Sequence, residues 1–116
     1  MKDKKITVLG QDYKLVFNTP DDDPKLKEWN GYHEPYSKKI VIDSTIVEEA
    51  NKDALGTENT EVYFRHVYRH EVMHAFFCES GITYRYSKDE EDFLVDWIAR
   101  MYPKMKKIFE ELGVED

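Results

Sequence analysis

Ile6 and Val8, then Tyr13, Leu15 and Phe17, alternate with polar residues in KITVLGQDYKLVF, and Gly10-Gln11-Asp12 between them supplies a reversal, which predicts a β-hairpin. The alternation stops in NTPDDDPKLKEWNGYHEPYS, where three prolines, three consecutive Asp and an Asn-Gly pair predict loop or irregular structure. The Asp run lacks the ligand spacing and closing Glu of an EF-hand, so it reads as a solvated turn. KKIVIDS is β-branched and apolar enough for a third strand, and its charged start predicts an edge position. From Asn59 or Thr60, either able to cap, EVYFRHVYRHEVMHAFFCES runs to Gly81 without Pro or Gly and predicts a long helix. Its apolar residues Tyr63, Val67, Val72, Ala75, Phe76 and Phe77 reach most of the way round, which predicts a central position. SKDEEDFLVDWIARMY opens with Ser87 and Glu90 in capping-box spacing and carries Leu94, Ile98, Met101 and Met105 on one face: a second helix, kinked at Pro103, with a last segment that Gly113 ends.

Composition narrows the class. At 116 residues, 41% hydrophobic and 14% aromatic, residues 1–116 form one domain with a core of its own. The lone Cys78 cannot form an internal disulfide, which fits a reducing compartment. No apolar run approaches the ~18 residues of a membrane span, and the polar start MKDKKITVLGQ lacks the apolar stretch of a signal peptide, so the expectation is a cytoplasmic protein without membrane contact. A net charge of −7, with one small basic cluster at Lys104, Lys106 and Lys107, argues against a nucleic-acid partner.

The chemistry concentrates in His70-Glu71-Val72-Met73-His74. On a helix, residues four apart share a face with Cβ atoms about 5–6 Å apart, so two imidazoles can bind one zinc ion at about 2.0–2.1 Å each. Glu71, rotated off that line yet close to it, can take a proton from water as a general base. This is the HExxH arrangement of zincins, whose chemistry is peptide-bond hydrolysis. In a chain of this composition it arises by chance in roughly one to two per cent of cases. A catalytic zinc takes a third protein ligand, and the second helix offers Glu90, Glu91, Asp92 and Asp96. Glu91 is the usual residue type and precedes Leu94 by one turn; Asp92 precedes Asp96 by four residues, so Asp96 can hydrogen-bond a ligand His. The reading leans to Asp92 with Glu91 as the alternative, and it implies that loss of Glu91 leaves metal affinity within a few-fold.

RHEVMHAFFCESGI, followed by DFLVDWIARMYPKM, resembles small phage- and prophage-encoded zinc metallopeptidases related to the ImmA/IrrE group of gluzincins, over roughly residues 39 to 108. The resemblance implies His70 and His74 as zinc ligands and Glu71 as catalytic base, and puts Asp92 where the family's ligand Glu stands, a departure that shortens the reach by roughly 1.5 Å. It implies an α+β fold: a short antiparallel sheet, hairpin plus edge strand, packed on the HExxH helix and its carboxy-terminal partner, with a peptide or protein substrate adding along the edge strand KKIVID. The substrate would then be a phage or host regulatory protein. The contrasting reading is a non-catalytic, metal-stabilised interaction module, for which a general base has no use.

The remaining candidates read as ordinary. His66, one turn before His70, reads as helix packing or surface rather than a spare ligand, and His33 as a solvated loop residue. Tyr84 and Tyr86 could hydrogen-bond an oxyanion but read more simply as surface aromatics, and Cys78 as a buried thiol in the helix core.

Overall fold

The computed structural model describes residues 1–116. Its strands are β1 (Lys4–Val8), β2 (Gln11–Asn18), β3 (Gly31–Glu34) and β4 (Lys39–Asp43). Its α-helices are α1 (Lys52–Leu55), α2 (Thr60–Ser80) and α3 (Lys88–Leu112). The predicted hairpin is β1–β2, with Ile6 opposite Tyr13. Its turn falls at Leu9 and Gly10, with φ of 49° and 84°. Two consecutive positive φ values give a turn whose twist suits the flanking strands, so Gln11 and Asp12 already belong to β2 rather than to the reversal.

The sheet corrects three expectations. The strand order is β1-β2-β4-β3, which makes β4 an interior strand rather than an edge. β4 runs parallel to β2, with Leu15 opposite Ile40, and antiparallel to β3, so the sheet is mixed rather than antiparallel. The reason lies in the strand itself: Ile40, Val41 and Ile42 are all buried, and a strand apolar on both faces belongs inside a sheet. The third correction is β3, which forms within the stretch expected to be irregular. Asn30-Gly31 does not turn the chain but leads into the strand, and the reversal before β4 comes at Lys38, with φ of 54°.

Asn59 caps α2, its side chain accepting from the Val62 N–H, and Gly81 ends the helix at φ 84°. The helix lies between the sheet and α3, as its apolar reach predicts. Tyr13 and Leu15 of β2, Ile40 and Ile42 of β4, and Val67 and Ala75 of α2 share one core. α3 starts in a full Ser87/Glu90 capping box. Contrary to the expected separate last segment, it continues through Pro103 to Leu112. Proline has no N–H to give the carbonyl four residues earlier. That carbonyl, Ala99, receives Arg69 Nε from α2 at 2.8 Å instead. No helix is long and apolar enough to cross a membrane.

Candidate metal centre

The four-residue spacing of His70 and His74 puts both rings on the α2 face that meets α3, their centroids 5.0 Å apart. α3 approaches closely there because Val95 and Ala99, small and fully buried, form its contact face. The capping box fixes the start of α3, so Glu91 and Asp92 fall in its first turns and Asp96 one turn later.

Each histidine is gripped by its Nδ1 atom. His74 Nδ1 lies 2.6 Å from Glu91 Oε2, while Glu91 Oε1 accepts from Thr83 Oγ1 at 2.6 Å. His70 Nδ1 lies 3.1 Å from Asp96 Oδ1, which also meets His66 Nε2 at 2.7 Å, and Arg100 Nη2 donates to Asp96 Oδ2 at 2.5 Å. A carboxylate can only accept, so each of these Nδ1 atoms carries a proton, and in the neutral tautomer that leaves each Nε2 with its lone pair. Both Nε2 atoms face Asp92: its Oδ1 lies 3.0 Å from that of His74 and 4.0 Å from that of His70. Glu71 Oε2 is also 4.0 Å from His70 Nε2. Lone pairs converging in this way repel one another unless a cation or a proton sits among them.

Donor atoms of His70, Glu71 and His74 all lie within 4.8 Å of one another, as do those of His66, His70 and Asp96. His70 belongs to both groups, but its Nδ1 is committed to Asp96, leaving Nε2 for the first. Tetrahedral zinc spaces its donors about 3.4 Å and bound imidazole centroids about 5 Å apart. The 5.0 Å centroid separation and the 3.0 and 4.0 Å approaches of Asp92 suit that arrangement. The cluster can therefore hold a metal ion.

Glu71 is only 8% exposed, at the buried margin of the cluster, and burial, with the charge of Asp92 second, pushes its carboxyl up to about 8. Burial lowers His70, against the opposing hydrogen bond from Asp96. Burial alone would raise Asp96, but the hydrogen bonds from His66 and His70 outweigh it and hold the group below the usual carboxylate range. Gly31 of β3 sits over Glu71, and a Cβ there would lie 3.0 Å from Glu71 Cγ and 2.9 Å from the Val41 carbonyl.

An open cleft of about 890 Å³ covers the cluster, with β3 along one side and α3 along the other. Asp43 N–H donates to the Asn30 carbonyl at 2.9 Å. By the alternation of an antiparallel ladder, Gly31 and His33 therefore turn their own N–H and C=O groups to the free edge.

Several residues read from sequence as bystanders lie in this cleft. His33 is on β3, its ring parallel to that of His74 at 6.4 Å, rather than in a solvated loop. Its Nε2 is 3.3 Å from the Tyr13 hydroxyl, which donates to Glu79 Oε2 at 2.5 Å, so the hydroxyl oxygen accepts from His33 Nε2–H and leaves Nδ1 bare. Burial, then His74, pushes His33 down to about 4, so the ring is neutral at physiological pH. His66 is tied to Asp96, and the half-buried Cys78 lines the cleft rather than the core. Tyr84 and Tyr86 are exposed and do not line it; Tyr32 and Tyr63 do, and Asn30 Nδ2 donates to Tyr63 Oη at 2.5 Å. Glu91 is the residue sequence reasoning undervalued. Leu94 and Ile98, taken as its companions on one face, gave no sign that it bends toward His74. The signal available was Thr83, eight residues earlier, placed to hold a carboxylate.

No family model, curated protein or solved structure matches this chain.

Proposed function

We propose that the protein is a zinc-dependent metallopeptidase in which His70, His74 and Asp92 hold the metal and Glu71 is the general base. The observation that carries this reading is the approach of Asp92 Oδ1 to His74 Nε2 at 3.0 Å and to His70 Nε2 at 4.0 Å, with both Nδ1 atoms already on carboxylates. Two imidazoles and a carboxylate are the donor set of open catalytic zinc sites, and magnesium or calcium would call for oxygen donors instead. Zinc held there supplies a Lewis acid for a peptide carbonyl and lowers the pKa of water near it. Glu71, buried beside the cluster, accepts the proton of the attacking water and passes it to the departing amine. Glu91 and Asp96 fix the two imidazoles, so they need not reorient during the reaction.

A peptide substrate has an edge strand to add to, and that edge is β3 rather than KKIVID. The outward backbone groups of Gly31 and His33 lie along the cleft. The resemblance of the HExxH and DFLVDW segments to ImmA/IrrE-type phage peptidases supports the same reading and makes a phage or host regulatory protein the kind of substrate to try first. Glu71 separates this from a closed structural site, which gains nothing from burying a fourth carboxyl beside three donors.

The test pairs metal content with hydrolysis. Wild type is expected to take up one zinc per chain and cleave members of a mixed peptide library. Glu71→Gln is expected to keep the zinc and lose cleavage by orders of magnitude. Less than a tenth of an equivalent of zinc in wild type, or full cleavage by Glu71→Gln, would refute the proposal.

A further inference from the structure

The opposite face of α3 carries an unpartnered apolar seam. Leu94, Ile98, Met101, Met105, Ile108 and Leu112 recur at alternating steps of four and three, the spacing of a coiled-coil core. The face of α3 that packs on α2 is a different one, carrying Val95 and Ala99. Met105 is still half-buried, but beyond it the seam lies open: Ile108 is 53% and Leu112 68% exposed, and Tyr102 and Phe109 beside the seam are about half exposed. Flanking charge is segregated along the helix, with Lys104, Lys106 and Lys107 first and Glu110 and Glu111 after them. Lys106 pairs with Glu110 inside the helix, whereas Lys104, Lys107 and Glu111 have no ion-pair partner.

We propose that α3 pairs antiparallel with α3 of a second copy of this chain through this seam. A two-fold interface uses one patch twice, so the patch must complement itself, and this one does in a single register. With Met105 layered on Ile108 of the second copy and Met101 on its Leu112, Lys104 falls beside the second copy's Glu111. On the other flank Tyr102 falls beside the second copy's Phe109, and symmetry makes every pair twice. A parallel pairing sets Lys104 against Phe109 and forms neither ion pair. The overlap from Met101 to Leu112 spans about 18 Å of helix. It buries roughly 1,000 Å² in total, the lower limit for a specific interface, which matches a dimer in the micromolar range. The helix face that supplies Asp92 and Asp96 stays turned to the cleft.

Sedimentation equilibrium from 5 to 200 μM, at 0.05 and 0.5 M NaCl, tests this without metal or substrate. The expected result is a monomer–dimer equilibrium with Kd in the tens of micromolar that weakens at the higher salt. Ile108→Lys, at an exposed position that leaves the fold intact by circular dichroism, is expected to raise Kd more than tenfold. Lys104→Glu and Glu111→Lys are each expected to weaken association several-fold, and the two together to restore it, because the swapped charges meet again only across an antiparallel pair. A monomer throughout the range assigns the seam to some other partner and overturns the proposal. So do a dimer indifferent to Ile108→Lys, one that tightens with salt, or a double charge swap that does not restore association.

Discussion

Glu91 gives the sharpest test of how the proposed centre is held. Its carboxylate bridges His74 Nδ1 and Thr83 Oγ1, each at 2.6 Å, and the His74 and Glu91 side chains are both largely buried. Glu91→Ala removes both contacts and leaves the largely buried imidazole N–H of His74 and the half-buried Thr83 hydroxyl short of partners. A group stranded in this way costs about 1–3 kcal/mol. Removing a residue that orients a metal-bound histidine lowers affinity about 10–100-fold. The two ranges agree, since tenfold is about 1.4 kcal/mol. The structure thus replaces the few-fold effect expected from sequence with a drop of one to two orders of magnitude. Glu91→Gln, which can still accept from His74 Nδ1–H but carries no charge, should lose less. Asp96→Ala should resemble Glu91→Ala, because it releases His70, and Asp92→Ala should be worst, because it removes a donor. Competition titration with a fluorescent zinc chelator at pH 7.5 ranks the four variants. If Glu91→Ala binds within twofold of wild type, Nδ1 anchoring is irrelevant to the site; if it binds worse than Asp92→Ala, Glu91 is itself the ligand.

Gly31→Ala sets a methyl 2.9 Å from the Val41 carbonyl and 3.0 Å from Glu71 Cγ, so it should cost about 1–3 kcal/mol in urea denaturation, and an unchanged midpoint would mean that β3 can yield. Arg69→Met strands the Ala99 carbonyl and should cost about 1–3 kcal/mol, but much less beside Pro103→Ala, which restores the helical N–H; additive losses in a double-mutant cycle would deny the compensation. Hydrogen bonds from Tyr13, then Lys38, hold Glu79 below the usual carboxylate range. The stability they contribute is therefore present above the unfolded value and lost as pH falls through the folded one. Wild type should exceed Glu79→Gln in stability at pH 6, with the gap narrowing as pH falls below the usual carboxylate range; a gap that is constant with pH would assign the difference to shape rather than charge. Chelation should leave the far-ultraviolet circular dichroism intact, because the core of Tyr13, Leu15, Ile40 and Ile42 lies outside the metal cluster, and unfolding on chelation would contradict that separation.

The sequence made local features legible and long-range ones illegible. The hairpin and both long helices follow from periodicity and caps that lie within a few residues of what they control, and His70, Glu71 and His74 are visible because one helix fixes their mutual geometry. Strand order is different in kind. KKIVID reads as an edge strand if its charged start is weighed and as an interior strand if Ile40, Val41 and Ile42 are; burial on both faces decided it. β3 was hidden by Asn30-Gly31, a pair that signals a turn. The glycine is needed for closeness instead, because any side chain there would strike Val41 and Glu71. The same limit applied to the carboxylates, since the one-residue difference between Glu91 and Asp92 decides which nitrogen of His74 each meets, and only the packing of α3 on α2 settles that.

The division of labour between the two nitrogens explains how such a cluster coexists with a stable small domain. Glu91 and Asp96 bind the Nδ1 atoms, so the histidines are held by hydrogen bonds that do not involve the metal-facing side. Asp96 can do this while also gathering His66 and Arg100, because the three donors around its carboxylate, from His66, His70 and Arg100, compensate its charge despite its partial burial. The unfavourable part is confined to the inner side, where Glu71 and Asp92 face each other across His70 and burial makes a second negative charge costly. A dication placed there would meet two imidazoles and two acids, and the repulsion from Asp92 that adds to burial in raising Glu71 would become attraction. The repulsion between the two acids and the attraction the proposed site would have for a cation thus share one electrostatic origin, and the hydrogen bonds to Glu91 and Asp96 hold the imidazoles in that geometry.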